Sequence, residues 1–108
     1  MIDLHKSVLQ ILQHGRHRAI TGKDIAHSLG FREDRQVRLA IRDLIAEGHP
    51  VASAVQPPMG YFLVESLAEA KEYQAGLRSW LIHDALRLRD FKVSAGRYLA
   101  NVVQGRLM

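Results

Sequence analysis

The sequence predicts a mainly α-helical protein with one small β-hairpin, and three observations carry that expectation. Apolar residues recur at steps of three and four over most of the chain, the period of amphipathic helices. Between residues 50 and 64 this pattern gives way to two short runs, Val-Ala-Ser-Ala and Tyr-Phe-Leu-Val, around a Pro-Pro-Met-Gly turn. The 108 residues are 47% hydrophobic, as in ordinary globular domains, yet no run approaches the roughly 18 apolar residues of a membrane span.

The first helix is expected over residues 3–14, opened by Asp3 as N-cap, with Leu4, Val8, Ile11 and Leu12 on one face. Gly15 ends it before the basic connection Arg16-His17-Arg18. Ala19-Ile20 has room for a very short strand. Thr21 then opens a short helix with capping-box-like spacing to Asp24, and Ile25, Ala26 and Leu29 face inward. Gly30 fits the left-handed position after that helix. The best helical pattern covers residues 33–47, where Val37, Ile41, Leu44 and Ile45 repeat at i, i+4, i+7 and i+8 before Gly48.

Strands are expected at 51–54 and 61–64, joined by an uncharged loop in which two prolines preclude a regular ladder. Ser66 and Glu69 form a full capping box for a long helix from Leu67 to about Leu88 or Lys92. Its stripe is Leu67, Ala70, Tyr73, Leu77, Trp80, Leu81, Leu88 and Phe91. Ser94 is expected to cap a last short helix over residues 95–104. The chain thus divides at Ser66, into a domain of residues 1–66 and a helical extension of residues 67–108.

Composition narrows the chemistry. The absence of cysteine removes disulfides, thiolate nucleophiles and cysteine-based zinc sites. Six histidines are scattered, and His14 and His17 are separated by Gly15 with no third ligand at a suitable spacing, so no metal is expected. No nucleophile elbow, phosphate-binding glycine loop or marked carboxylate pair is present, which argues against an enzyme and implies no cofactor. The N-terminus lacks a basic segment followed by an apolar one, so a cytoplasmic protein is expected.

A net charge of +4 favours an anionic partner. The charge is uneven. Residues 31–66 hold four arginines against five acids, while residues 67–108 hold seven bases against four acids. Direction matters more than the sum. At about 100° per residue, Arg35 and Arg42 fall opposite Val37 on the third helix, with Arg38 on the flank.

Three helices, two strands and further helices is the order of a winged helix-turn-helix, a three-helix core plus wing, followed here by the long and the short terminal helix. Residues 20–64 resemble the helix-turn-helix of the biotin-repressor type found in bacterial and phage regulators. The matching residues are Thr21-Gly22-Lys23-Asp24-Ile25-Ala26, Leu29-Gly30-Phe31 and Arg35-Gln36-Val37-Arg38 with Ile41, Leu44 and Gly48. Gly48, Pro50, Val51, Gly60, Tyr61 and Leu63 match the hairpin of that family. Arg32-Glu33-Asp34 stands where the family has small polar residues. Biotin chemistry is not implied.

The resemblance implies a protein that binds double-stranded DNA by inserting helix 33–47 in the major groove, as a transcriptional regulator or a phage- or plasmid-type accessory factor. Arg35, Gln36, Arg38 and Arg42 are the candidate base contacts, because Arg and Gln bond guanine and adenine edges bidentately. Lys23, Arg16, Arg18 and Arg32 are candidate phosphate contacts. A helix of about 24 residues spans about 36 Å, more than a domain of this size covers. Tyr73, Leu77, Trp80, Leu81 and Leu88 are therefore a candidate homodimer interface on helix 67–91. The uncharged wing and the neutral third helix also suit a different class, a winged-helix protein-interaction module in a larger assembly. Single-stranded nucleic acid is a weaker match, since outward aromatics are scarce.

Overall fold

The computed structural model describes residues 3–107. The elements in chain order are α1 (Leu4–Ile11), a 3-10 turn (Arg16–Arg18), α2 (Gly22–Ser28), α3 (Arg35–Ala46), β1 (Val51–Ala54), β2 (Gly60–Leu63) and α4 (Leu67–Leu107). The chain divides into two compact units between Tyr73 and Gln74. No helix among the described residues is long and apolar enough to cross a membrane.

In the first unit the predicted caps are in place. The Asp3 carboxylate accepts from the His5 backbone N–H, and the Thr21 hydroxyl accepts from the Asp24 N–H at 3.1 Å. These bonds satisfy donors that a helix start leaves without intrahelical partners. The first helix is shorter than its apolar pattern. It stops at Ile11, and Leu12 is extended, because the backbone beyond it bonds elsewhere: Leu63 N–H donates to Gln13 O and Gly15 N–H donates to Leu63 O, both at 2.8 Å. A long-range pairing thus replaces the last helical turn. α3 also starts later than its pattern: Arg32, Glu33 and Asp34 form a bend before it, with Asp34 at the N-cap position.

β1 and β2 pair antiparallel, Val51 opposite Leu63 and Ser53 opposite Tyr61. The short strand expected near Ile20 is a single bridge. Ile20 N–H donates to Tyr61 O at 2.9 Å and Tyr61 N–H donates to Ile20 O at 2.7 Å. Gly60 makes this approach possible. Its φ is +127°, and a Cβ there would lie 2.2 Å from the Ile20 carbonyl carbon and oxygen.

The core joins all these elements. Val8 and Leu12 from the first helical segment, Ile25 and Ala26 from α2, Val37, Ala40, Ile41 and Leu44 from α3, and Val51 and Leu63 from the hairpin form one buried cluster. Leu4, Leu9, Ile20, Phe31 and Tyr61 pack on it half-buried. One expected core member is displaced. Ile45 is 50% exposed, and Ala40 takes its place in the buried arc. Val37, Ala40, Ile41 and Leu44 lie within about 100° of one another around α3, with Ile45 on the edge of that arc.

At the start of α4, Glu69 N–H donates to Ser66 Oγ at 3.1 Å, and Glu65 N–H donates to Glu69 Oε1 at 3.0 Å. The capping box forms, with the returning carboxylate on Glu65 rather than Ser66. α4 is then one uninterrupted helix of 41 residues. The separate short helix expected after Ser94 does not exist. Phe91, Ala95, Tyr98 and Val102 continue the three-and-four spacing straight through Ser94, no proline intervenes, and Gly96 costs only about 1 kcal/mol relative to alanine. In the second unit Leu77, Trp80, Leu81, Leu88, Phe91, Tyr98, Leu99 and Val103 are exposed along α4, as are Ile82, Leu86 and Val93 on another side.

Candidate nucleic-acid interface

The site is built on the exposed side of α3. Burial of Val37, Ala40, Ile41 and Leu44 turns Arg35, Arg38, Leu39 and Arg42 outward. Around the helix, Arg35 and Arg42 lie opposite the buried arc and Arg38 beside them toward the hairpin. Gln36 is also exposed but falls on the other flank, with Asp43 and Glu47. The three arginines therefore share one side, from which Gln36 is turned away.

Two acids interact with neighbours that determine this polarity. Asp43 Oδ2 shares a hydrogen bond with His5 Nε2 at 3.0 Å, which ties α1 to α3. That contact holds the His5 pKa above its ordinary 6.5, chiefly through the hydrogen bond to Asp43, against the opposing effect of desolvation and with the charges of Asp43, Asp3 and Glu47 adding to it. Asp34 lies 3.4 Å from Arg38 Nε, one turn before it. Among the described residues Arg35 and Arg42 are in no ion pair.

Arg38 and Arg42 also border a shallow cleft of about 210 Å³ between α3 and the hairpin. Its remaining walls are Ile41, Ile45, Val51, Ala52, Ser53, Tyr61 and Tyr73. The Ser53 and Tyr73 hydroxyls are 3.3 Å apart. Burial raises the Tyr61 pKa above 10.0, against the attraction of Arg38 and with the help of Asp34 and Tyr73. Asp34, Ser53, Tyr61 and Tyr73 are members of this site that sequence reasoning left out. The Asp34-to-Arg38 spacing of four residues was the available signal for the first; the others meet only through the hairpin register.

The remaining candidates are spread around the unit. Lys23 is exposed in the first turn of α2, Arg32 is exposed in the turn before α3, and Arg18 is exposed in the 3-10 turn. Arg16 is engaged with the hairpin loop, its Nη2 donating to Gln56 O at 2.9 Å while its backbone N–H donates to Glu69 Oε2. Of the candidate interface residues on α4, Tyr73 is half-buried against Ser53, whereas Leu77, Trp80, Leu81 and Leu88 are exposed. His14 and His17 are exposed, and no group of three or more His, Cys, Asp or Glu among the described residues is placed to hold a metal ion.

Three helices followed by a β-hairpin and a long helix constitute a winged-helix-like topology. No protein-family model, curated protein sequence or solved structure matches the chain.

Proposed function

We propose that this chain is a DNA-binding winged helix-turn-helix protein of the biotin-repressor-like type, a transcriptional regulator or a phage- or plasmid-type accessory factor. The observation that carries this reading is the shared outward side of Arg35, Arg38 and Arg42 on α3. That side sits on the helix which enters the major groove in helix-turn-helix proteins, and the guanidinium fork matches a guanine edge. Asp43 and Glu47 lie on the opposite flank, and His5 engages Asp43 from α1, so of the acids near α3 only Asp34, among the described residues, is paired with an arginine of this side. Lys23, Arg18 and Arg32 add phosphate contacts. Gln36, on the acidic flank, has a smaller share than its position in the sequence suggests. Arg16 supports the hairpin first and meets DNA second.

Titration of a random-sequence duplex at two salt concentrations tests this reading. Binding should fall steeply with salt, by a slope that reflects the number of phosphates neutralised. The Arg35→Ala/Arg38→Ala/Arg42→Ala variant should lose most of it while retaining the wild-type thermal midpoint. No binding at low salt refutes the proposal.

A second reading, a winged-helix protein-interaction module, draws on different observations. Residues 55–60 of the hairpin loop carry no charge, and Leu39 and Ile45 are exposed on α3 beside the arginines. In that case the α3 surface would bind an acidic, partly apolar protein segment, and the same triple variant would leave duplex binding unaffected because none would exist.

A further inference from the structure

The second unit, a single helix, carries an exposed apolar stripe that the helix itself does not cover. Trp80 is 51% exposed, Leu88 56% and Phe91 68%, and Leu81, Tyr98 and Leu99 are more than half exposed. A helix of this length derives its stability from packing of an apolar face rather than from propensity. Here Gly76 and Gly96 weaken the propensity further. Soluble proteins seldom leave a contiguous apolar patch of more than a few hundred Å² without a partner. Leu77, Trp80, Leu81, Leu88, Phe91, Ala95, Tyr98, Leu99 and Val102 all fall within about 100° around the helix axis, over a length of about 38 Å.

The charges on this stripe indicate what covers it. Asp84 alone lies within the apolar arc, Arg87 lies just outside one edge and Lys92 just outside the other two turns after Asp84, and among the described residues none of the three side chains is in an ion pair. In a parallel pair of identical helices Asp84 would face its own copy, two carboxylates within an apolar seam, which is destabilising. In an antiparallel pair centred on Leu88, residue positions that sum to 176 lie at the same level. Asp84 of each copy then meets Lys92 of the other, twice, because the contact is two-fold. The same register sets Leu77 against Leu99, Leu81 against Ala95 and Leu88 against itself. Large residues thus meet large or small ones, and Asp84 is the one charge inside the arc, with Lys92 and Arg87 at its two edges.

We propose that α4 is the interface of an antiparallel homodimer whose two-fold axis passes at Leu88. The occupant of the apolar stripe is a second copy of this chain. Nine stripe side chains per copy, three of them aromatic and worth about 150–250 Å² each when covered, supply on the order of 800 Å² per partner, the area of a stable interface. The Lys92 stem covers apolar surface while its ammonium reaches the carboxylate across the seam. Helix rise places the two copies of Gln74 about 42 Å apart. This assembly does not depend on the proposed DNA binding, and its test uses no DNA.

Because the chain has no cysteine, single-cysteine variants of the full chain report the pairing directly. Leu77→Cys and Leu99→Cys proteins, mixed in a thiol–disulfide redox buffer, should form the crossed disulfide in preference to either self-disulfide. Predominant self-disulfides would overturn the antiparallel register, and a monomer by light scattering throughout the micromolar range would overturn the dimer. A charge exchange keeps the test independent of cysteine chemistry. Asp84→Lys alone and Lys92→Asp alone should each weaken self-association by about tenfold, whereas the two variants mixed should recover wild-type affinity as a heterodimer. Failure of the mixture to recover would refute the Asp84–Lys92 pairing.

Discussion

Gly60→Ala is the substitution for which the structure gives the largest effect from the smallest change. The added Cβ would stand 2.2 Å from the carbonyl carbon and oxygen of Ile20 and 2.5 Å from Thr21 N. These are backbone atoms, so no side chain can rotate out of the way. Relief requires the Ile20–Tyr61 bridge to open, with loss of two hydrogen bonds of 2.9 and 2.7 Å, each worth about 0.5–1.5 kcal/mol net. The φ of +127° adds strain for any residue with a Cβ, on the order of 1–2 kcal/mol. Together the cost is about 2–5 kcal/mol, a large part of the roughly 5–15 kcal/mol by which a domain is stable. Gly48 is the internal control. It also has positive φ, +108°, but a Cβ there meets nothing within 4 Å, so Gly48→Ala should cost the strain alone. Calorimetric melting of the first unit should therefore drop by on the order of 10–25 °C for Gly60→Ala and about 5–10 °C for Gly48→Ala. Equal shifts for the two variants would show that the bridge to Ile20 does not hold the hairpin in place. The functional corollary is that Gly60→Ala also loosens the wall of the cleft beside Arg38 and Arg42.

Two further outcomes follow from the electrostatics of α3. Asp34→Asn frees Arg38 and removes one negative charge from the arginine side, so duplex binding should tighten by about two- to fivefold at low salt and the gain should shrink as salt rises; weaker binding would mean that Asp34 positions Arg38 for contact. His5 has its pKa raised in the folded chain by Asp43, so its stabilising contribution is complete below its ordinary 6.5 and is lost as pH rises through the raised value. Melting measured between about pH 5.5 and 8 should show a decline with pH that Asp43→Asn flattens, and an unchanged slope in that variant would remove His5 as its source.

Much of this molecule follows from the sequence alone because the interactions concerned are local. Asp3, Thr21 and Ser66 each cap a helix whose first N–H groups lie within three residues of the capping oxygen, and no distant part of the chain is needed for that. The phase of Val37, Ile41 and Leu44 sets the outward side of α3 for the same reason, and with it the grouping of Arg35, Arg38 and Arg42. The tertiary structure decided what depends on distant partners. Leu63 pairs with the backbone of Gln13 and Gly15, which ends α1 before Gln13, so the apolar pattern overstates that helix. Ala40 rather than Ile45 enters the core because the hairpin stands beside α3 and leaves the Ile45 flank to the cleft. Tyr73, one of a uniform stripe in the sequence, binds Ser53, while Leu77, Trp80, Leu81 and Leu88 are left exposed. A helical period states that a side is apolar, but the same period serves a core and an interface between copies, and only the packing of the chain separates the two.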